Sequence, residues 1–399
     1  MQHATLVLFL GLGQCGALAG CASDPVYPEY PLDGITVFVG FDEPICGGTF
    51  DWIEGRLGWL ETETGLAASV SPIQYYWLRE DVFDYCPTGA CGSATDNRIY
   101  SPLELFSHEL VHGHLAQLGL PRPWLAEGMA EMLEDSRWSV PDRPMTPSKM
   151  LAQSDALRLD YDSAASFVRY LRDRFGMPSL IELYAALNRV DAEATPDVFL
   201  AVLGEDWRSV EEAYMATFTP VPVGALSCDF PVLAPEAGTW TLPVASPCED
   251  AATIGPFLGW RDSSIPYSER SVIVEIPEAG IYTLTMTSSV DTAVNIIACD
   301  EPLDGFSRYA TQVEQLIEFV PGRKRLTIMT YIADEPVGEV VLRREPSTPG
   351  TAKALVSERP DSSAGSASGE QDAPGRPAPG GPWHPRHGQI RADSGRGPF

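Results

Sequence analysis

Between Ser101 and Glu131 the chain reads SPLELFSHELVHGHLAQLGLPRPWLAEGMAE, and this stretch limits what the rest can be. It contains His108-Glu109-x-x-His112. Two imidazoles four residues apart lie on one face of a helix, where they can share one tetrahedral cation. The Glu between them projects beside that cation and can take a proton from the attacking water. The local signals predict a helix, with Ser101 as N-cap, Pro102 as first helical residue and Glu104 as capping-box partner. Leu103, Phe106, Leu110, Val111, Leu115 and Leu118 supply its apolar surface, and Gly119 and Pro121 end it.

A second helix is expected from Pro123. The chain then runs about 9 Å past His112 and returns about 6 Å by Glu127, at about 1.5 Å per residue. This hairpin brings the Glu127 carboxylate back to the two histidines. Two His and one Glu leave a fourth position open, as a catalytic Zn2+ site requires. Glu131 lies one turn beyond Glu127 on the same face and is expected to fix the His108 tautomer through the other ring nitrogen. Gly128 costs about 1 kcal/mol mid-helix relative to Ala. It is expected to let the second helix approach the first.

His108-Glu109-x-x-His112 followed by Trp124-Leu125-x-Glu127-Gly128-x-Ala130 resembles the gluzincin branch of zinc metallopeptidases. The Glu-Gly-x-Ala element is similar to that of zinc aminopeptidases and of bacterial peptidase-MA-like proteins. The carboxylate one turn after the third ligand is similar to thermolysin-type enzymes. Only 14 residues separate His112 from Glu127, fewer than in the aminopeptidases, so the connecting turn must be tight. The resemblance implies zinc-dependent peptide hydrolysis, with His108, His112 and Glu127 as metal ligands and Glu109 as general base.

The N-terminus reads as an export signal over residues 1–21. Leu6-Val7-Leu8-Phe9-Leu10 is too short to span a bilayer. Leu18-Ala19-Gly20-Cys21 resembles the lipobox of bacterial lipoproteins, which makes Cys21 the expected lipidation site and the lipid the membrane anchor. Met1-Gln2-His3 lacks the usual basic residues, and no Asp follows Cys21, which by resemblance favours the outer membrane or cell surface. A net charge of -28 argues against nucleic acid as a partner.

Residues 22–31 read as a Pro-rich tether and 32–219 as the metallopeptidase-like domain. Ile35–Phe41, Ile73–Leu78 and Arg98–Tyr100 read as strands, and Phe50–Glu63 as a helix. In the gluzincin family the strand before the zinc helix lies at the sheet edge and binds extended substrate; Asn97–Tyr100 is the candidate, and a plain core strand is the other reading. Six cysteines remain after Cys15 and Cys21, which suggests disulfides, and Cys86 and Cys91 form a candidate pair. Three cysteines fall on each side of residue 220, so either one bridge crosses the domains or each domain keeps a free thiol.

Residues 148–219 read as helical. Peptide hydrolysis also needs a donor for the developing oxyanion. After His114 the next His is His384, so no downstream His in the domain can serve, and a Tyr is the natural substitute, as in aminopeptidases. Tyr161 is the first choice, with Tyr170 and Arg169 in reserve; a packed helix residue is the other reading of each. Its segment, Tyr161-Asp162-Ser163-Ala164-Ala165-Ser166-Phe167-Val168, is similar to one that follows the zinc site in peptidase-MA-like proteins.

From residue 220 to 345 the period changes to two, with short strands and turn punctuation that point to a β-sandwich. Gly280–Thr285 and Asp291–Val294 resemble the bacterial pre-peptidase C-terminal domain. Residues 346–399 are rich in Pro, Gly, Ser and Arg and read as a disordered tail. The expected class is therefore α+β: a gluzincin-like domain with a small mixed sheet and helices, then a β-sandwich. The expected activity is hydrolysis of peptide or protein substrates. A non-catalytic surface binding protein on a degenerate scaffold is the alternative; the intact Glu109 weighs against it.

Overall fold

Alternation of buried and half-buried residues builds the first layer. In β2 (Ile35–Gly40) Ile35, Val37 and Val39 point inward, and in β3 (Ile73–Leu78) Ile73, Tyr75 and Trp77 do the same. The structure is a computed structural model that describes residues 27–69, 71–79, 91–93, 97–101, 107–135, 143–220, 224–257, 266–299, 305–332 and 337–346. The export signal with Cys21, Cys86, residues 102–106 and the tail beyond Pro346 lie outside them; of Cys91 only the backbone is described.

Five strands form the N-terminal sheet, in the order β1-β2-β3-β5-β4, with β1 at Glu29–Leu32, β4 at Cys91–Ser93 and β5 at Arg98–Ser101. β2, β3 and β5 run parallel; β1 and β4 pair antiparallel at the two sides. One sequence expectation is corrected here. The tether ends at a strand, because Glu29–Leu32 pairs with β2 and Tyr30 packs on Phe50 at 5.0 Å. Of the two readings of Asn97–Tyr100, the inner strand is the one observed, because β4 lies outside β5.

Helices cover one face of this sheet. α1 (Thr49–Thr64), α2 (Ser107–Leu115) and α3 (Pro123–Leu133) share one buried cluster with the strands, through Leu57, Leu60, Leu110, Val111, Leu125 and Met129. Among the described residues five further helices follow: α4 (Pro147–Ala152), α5 (Tyr161–Phe175), α6 (Met177–Ala186), α7 (Thr195–Leu203) and α8 (Trp207–Thr217).

The second domain is antiparallel β, with β6 (Thr239–Pro243), β7 (Thr253–Phe257), β8 (Tyr267–Ile276), β9 (Gly280–Ala298), β10 (Gly305–Phe319), β11 (Gly322–Tyr331) and β12 (Gly338–Arg344). β9 runs unbroken through Ser288-Ser289-Val290-Asp291. β10 pairs along its whole length and absorbs the irregularity between Ala310 and Gln312. β12 pairs with the first part of β9 and β11 with the second. Trp240, Leu242 and Leu342 fall in one buried cluster with Val274, Leu326 and Ile328, consistent with the expected sandwich.

Disulfides Cys46–Cys248 and Cys228–Cys299 indicate an extracellular or periplasmic protein. The first crosses the domain boundary, which answers the question the cysteine count left open. Backbone bonds reinforce it: Cys46 N–H donates to Gly255 O at 2.9 Å, Gly47 N–H to Cys248 O at 2.8 Å and Gly48 N–H to Thr253 O at 3.0 Å. Among the described residues no helix is long and apolar enough to cross a membrane. The Cys46–Cys248 bridge closes 202 residues of sequence separation. Replacing both cysteines by Ser should lower unfolding stability by about 2–5 kcal/mol in denaturant titration. A loss under about 1 kcal/mol would show that the noncovalent contacts alone hold the domains together.

Candidate metal centre

α2 carries the His-Glu-x-x-His motif through the middle of the domain, with every residue from His108 to Leu115 buried. His114 ties it to α1, its Nε2 lying 2.8 Å from Thr64 Oγ1. The described part of the helix begins at Ser107, and the expected first turn with Pro102 and Glu104 lies outside the described residues. Ser101 ends β5, where its backbone pairs with Trp77. A 3-10 turn over Ala116–Leu118 and Gly119 at φ 101° end the element. Leu120 N–H then donates to Asn188 Oδ1 at 3.0 Å, and Pro123 opens α3 at its first turn. That short turn returns Glu127 to the histidines, as the spacing requires.

Three donor atoms converge. His108 Nε2 and His112 Nε2 stand 3.1 Å apart, and Glu127 Oε2 lies 3.3 Å and 3.2 Å from them. A tetrahedral Zn2+ with bonds of about 2.05 Å separates its ligand atoms by about 3.3 Å. The triangle therefore fits such an ion. All three residues are buried, His112 the most exposed at 6%. Glu109, also buried, has an Oε2 without a hydrogen-bond partner among the described residues. That oxygen is thus not committed to a structural contact.

Behind the triangle stand two more carboxylates. Glu134 Oε2 lies 3.4 Å from His108 Nδ1 and Glu131 Oε1 lies 3.7 Å from it. The expected partner Glu131 is in place, but Glu134, which the sequence reading missed, is nearer. With His108 these two form a second group of potential metal-ligand atoms.

Electrostatics follow from this crowding. Burial would depress the His108 pKa, but the Glu127 and Glu134 carboxylates outweigh it and hold it well above its ordinary value. Burial would raise Glu127, but the two imidazoles outweigh it and hold the carboxyl down to about 2. Glu131 is pushed well above the carboxylate range, first by burial and then by Glu134. Burial also raises Glu109, against the pull of His112 and His108.

Tyr161 opens α5 after Asp160, whose side chain accepts from Ser163 N–H at 3.2 Å. Its ring centre is 6.1 Å from that of His108, and its hydroxyl makes a hydrogen bond with Glu127. Burial, and then the Glu127, Glu109 and Glu131 carboxylates, raise its pKa, so it remains a proton donor at neutral pH. The two reserves serve elsewhere. Tyr170 packs on Phe167 and Tyr214 and accepts from Arg174, while Arg169 lies 3.7 Å from Asp173. Tyr184, fully buried on α6, is a residue the sequence did not single out; burial and the Glu127 charge raise its pKa.

Comparisons with known proteins add little. No protein-family model matches the chain, and no curated protein does. Among solved structures, the chain is similar to the C-terminal carbohydrate-binding module of a marine laminarinase from Zobellia galactanivorans. Identity is 13% over 26% of this chain and 99% of that one, with a TM-score of 0.17. An Arthrobacter globiformis isomalto-dextranase complexed with panose gives 14% identity over 27% and 24% of the two chains, with a TM-score of 0.17. A Podospora anserina β-(1,4)-mannanase gives 11% over 29% of each, with a TM-score of 0.18. Similarities this weak carry no argument about fold or activity.

Gly128 sits at a close helix contact, but the partner is α5 and not α2 as the sequence suggested. A Cβ there would stand 2.8 Å from Ala164 O and 2.7 Å from Val168 Cγ2. Gly128→Ala should therefore destabilise the fold by about 1–3 kcal/mol, outweighing the gain of about 1 kcal/mol in helix propensity. Chemical denaturation measures this, and a stabilised variant would contradict the packing described.

Proposed function

We propose that this chain is an exported zinc metallopeptidase of gluzincin type, anchored through a lipid on Cys21. The observation that carries the reading is the buried triangle of His108 Nε2, His112 Nε2 and Glu127 Oε2, with edges of 3.1–3.3 Å and an uncommitted Glu109 beside it. Peptide or protein as substrate rests on the resemblance of the paired motifs. The two disulfides support export.

His108, His112 and Glu127 would hold the metal. When bound, Zn2+ supplies a Lewis acid that acidifies a water and polarises the scissile carbonyl. Glu109 accepts the proton of the attacking water and returns it to the leaving amine. Its raised pKa suits a group that must both take and give a proton. Tyr161, held protonated by burial and by three carboxylates, donates to the oxyanion that develops on the substrate carbonyl. Glu131 and Glu134, facing Nδ1 of His108, keep Nε2 of that ring directed at the metal position. Among its described residues the β-domain adds no group of potential metal ligands to this scheme.

Glu109→Gln should abolish hydrolysis of a peptide or casein panel, by about 10²–10⁴-fold or more, while leaving zinc bound. Gln preserves shape and volume but cannot accept the proton at neutral pH. Cleavage that survives the substitution would overturn the mechanism. A wild type that binds zinc yet cleaves nothing across a broad panel would favour the non-catalytic binding protein.

A further inference from the structure

The end of α3 is held from the other domain. α3 carries Glu127 and Glu131, and Glu134 follows at its C-terminal boundary, where the backbone turns to ψ 158° without a glycine. The chain here needs other partners for its end groups. Arg56 on α1 donates through Nη2 to Leu133 O and through Nη1 to Ala225 O at 3.3 Å. Ala225 N–H donates to Glu134 O at 2.8 Å. Ala225 belongs to the segment that leads into the β-domain.

Asp135 is where these contacts meet. Its N–H donates to Ser107 Oγ at 2.8 Å, one residue before the metal-site His108. Its Oδ2 accepts from Trp52 Nε1 at 3.3 Å. Its Oδ1 accepts from Ser227 N–H and from Arg325 Nη1, the latter at 3.0 Å. Arg325 stands on β11, inside the β-domain. Its Nε donates to Thr327 Oγ1 at 3.2 Å, and its guanidinium lies over Phe230 at 4.9 Å. The Asp135 side chain is 3% exposed and that of Arg325 11%, so solvent screens the pair little.

We propose that Asp135 and Arg325 are positioning residues of the metal centre, and that the β-domain is thereby a working part of the site and not a spacer. This inference rests on the zinc reading of His108, His112 and Glu127. Neither residue touches the metal triangle. Asp135 fixes the start of α2 and the end of α3 against each other. That contact keeps Glu131 and Glu134 on the Nδ1 side of His108. Arg325 holds the Asp135 carboxylate, and the Cys46–Cys248 bridge keeps the domain that supplies Arg325 in place. The partners behind a ligand imidazole set its orientation, and their loss typically costs about 10–100-fold in metal affinity or activity.

The test uses the full disulfide-bonded chain. Zinc affinity is measured by competition with a chromophoric chelator for wild type, Arg325→Met, Arg325→Lys, Asp135→Asn and Val340→Ala. Val340 is buried in the β-domain core, away from the Asp135 contacts, and its truncation serves as a control for stability alone. Arg325→Met and Asp135→Asn should weaken zinc binding by about 10–100-fold, lowering kcat with little change in KM. Arg325→Lys should restore part of the loss. Val340→Ala should lower Tm and leave zinc affinity at the wild-type value. Asp135→Asn preserves shape, so it stands as the test where Arg325→Met does not fold. Zinc affinity unchanged in folded Asp135→Asn, or equally reduced in Val340→Ala, overturns the positioning role while leaving the zinc reading intact. A wild type that binds no zinc overturns both.

Discussion

Concentrated buried charge is the constraint on which this molecule depends. Glu109, Glu127, Glu131 and Glu134 are all buried within a few ångströms of two buried imidazoles. Removing one ion from water costs several kcal/mol unless a partner compensates, and carboxylates outnumber imidazoles here. Protons held by Glu131 and His108, both of whose pKa values are raised, relieve part of that cost. A divalent cation among His108, His112 and Glu127 would relieve more, because it adds positive charge where three lone pairs already converge. The helix hairpin, its tight turn at Gly119 and the close contact of α3 with α5 at Gly128 all serve to hold those groups together.

Such a cluster needs rigid walls. The sheet supplies one through Ile73, Tyr75, Trp77 and Ile99, packed under α2. The aromatic group of Trp124, Phe167 and Trp207 supplies another, with ring centres 5.3–5.7 Å apart behind α3 and α5. The third wall belongs to the β-domain, through the segment from Ala225 to Ser227 and through Arg325. A metal site whose ligands sit on two short helices gains precision when the ends of both helices are tied to one carboxylate. On the positioning role proposed above, the β-domain would contribute stiffness at a distance.

The legible parts were those set by local geometry. His108, Glu109, His112 and Glu127 could be grouped because helical spacing and a turn length decide their separation. β3 is legible at its observed limits because Ile73 to Leu78 is a short run of apolar and aromatic residues that favours a strand. What depended on tertiary contact was not legible. Glu134 lies just past the last turn of α3, where helical periodicity no longer says which way a side chain faces. Tyr184 comes under the influence of the Glu127 charge only through the tertiary fold. The partner of Gly128 was misread because a glycine announces a close approach without naming the neighbour. β1 was hidden by Pro28 and Pro31. The cross-domain disulfide was one of two options that counting could not separate. The gluzincin and lipoprotein resemblances remain readings of short motifs.

The central claim is that the His108, His112 and Glu127 triangle holds zinc. Metal content by mass spectrometry tests it most directly, on wild type, His112→Ala and Glu127→Ala purified alike. The account predicts about one zinc per wild-type chain and a loss of stoichiometric zinc in both variants, with the folds otherwise intact. Stoichiometric zinc surviving both substitutions, or a wild type with none after exposure to the metal, would contradict it.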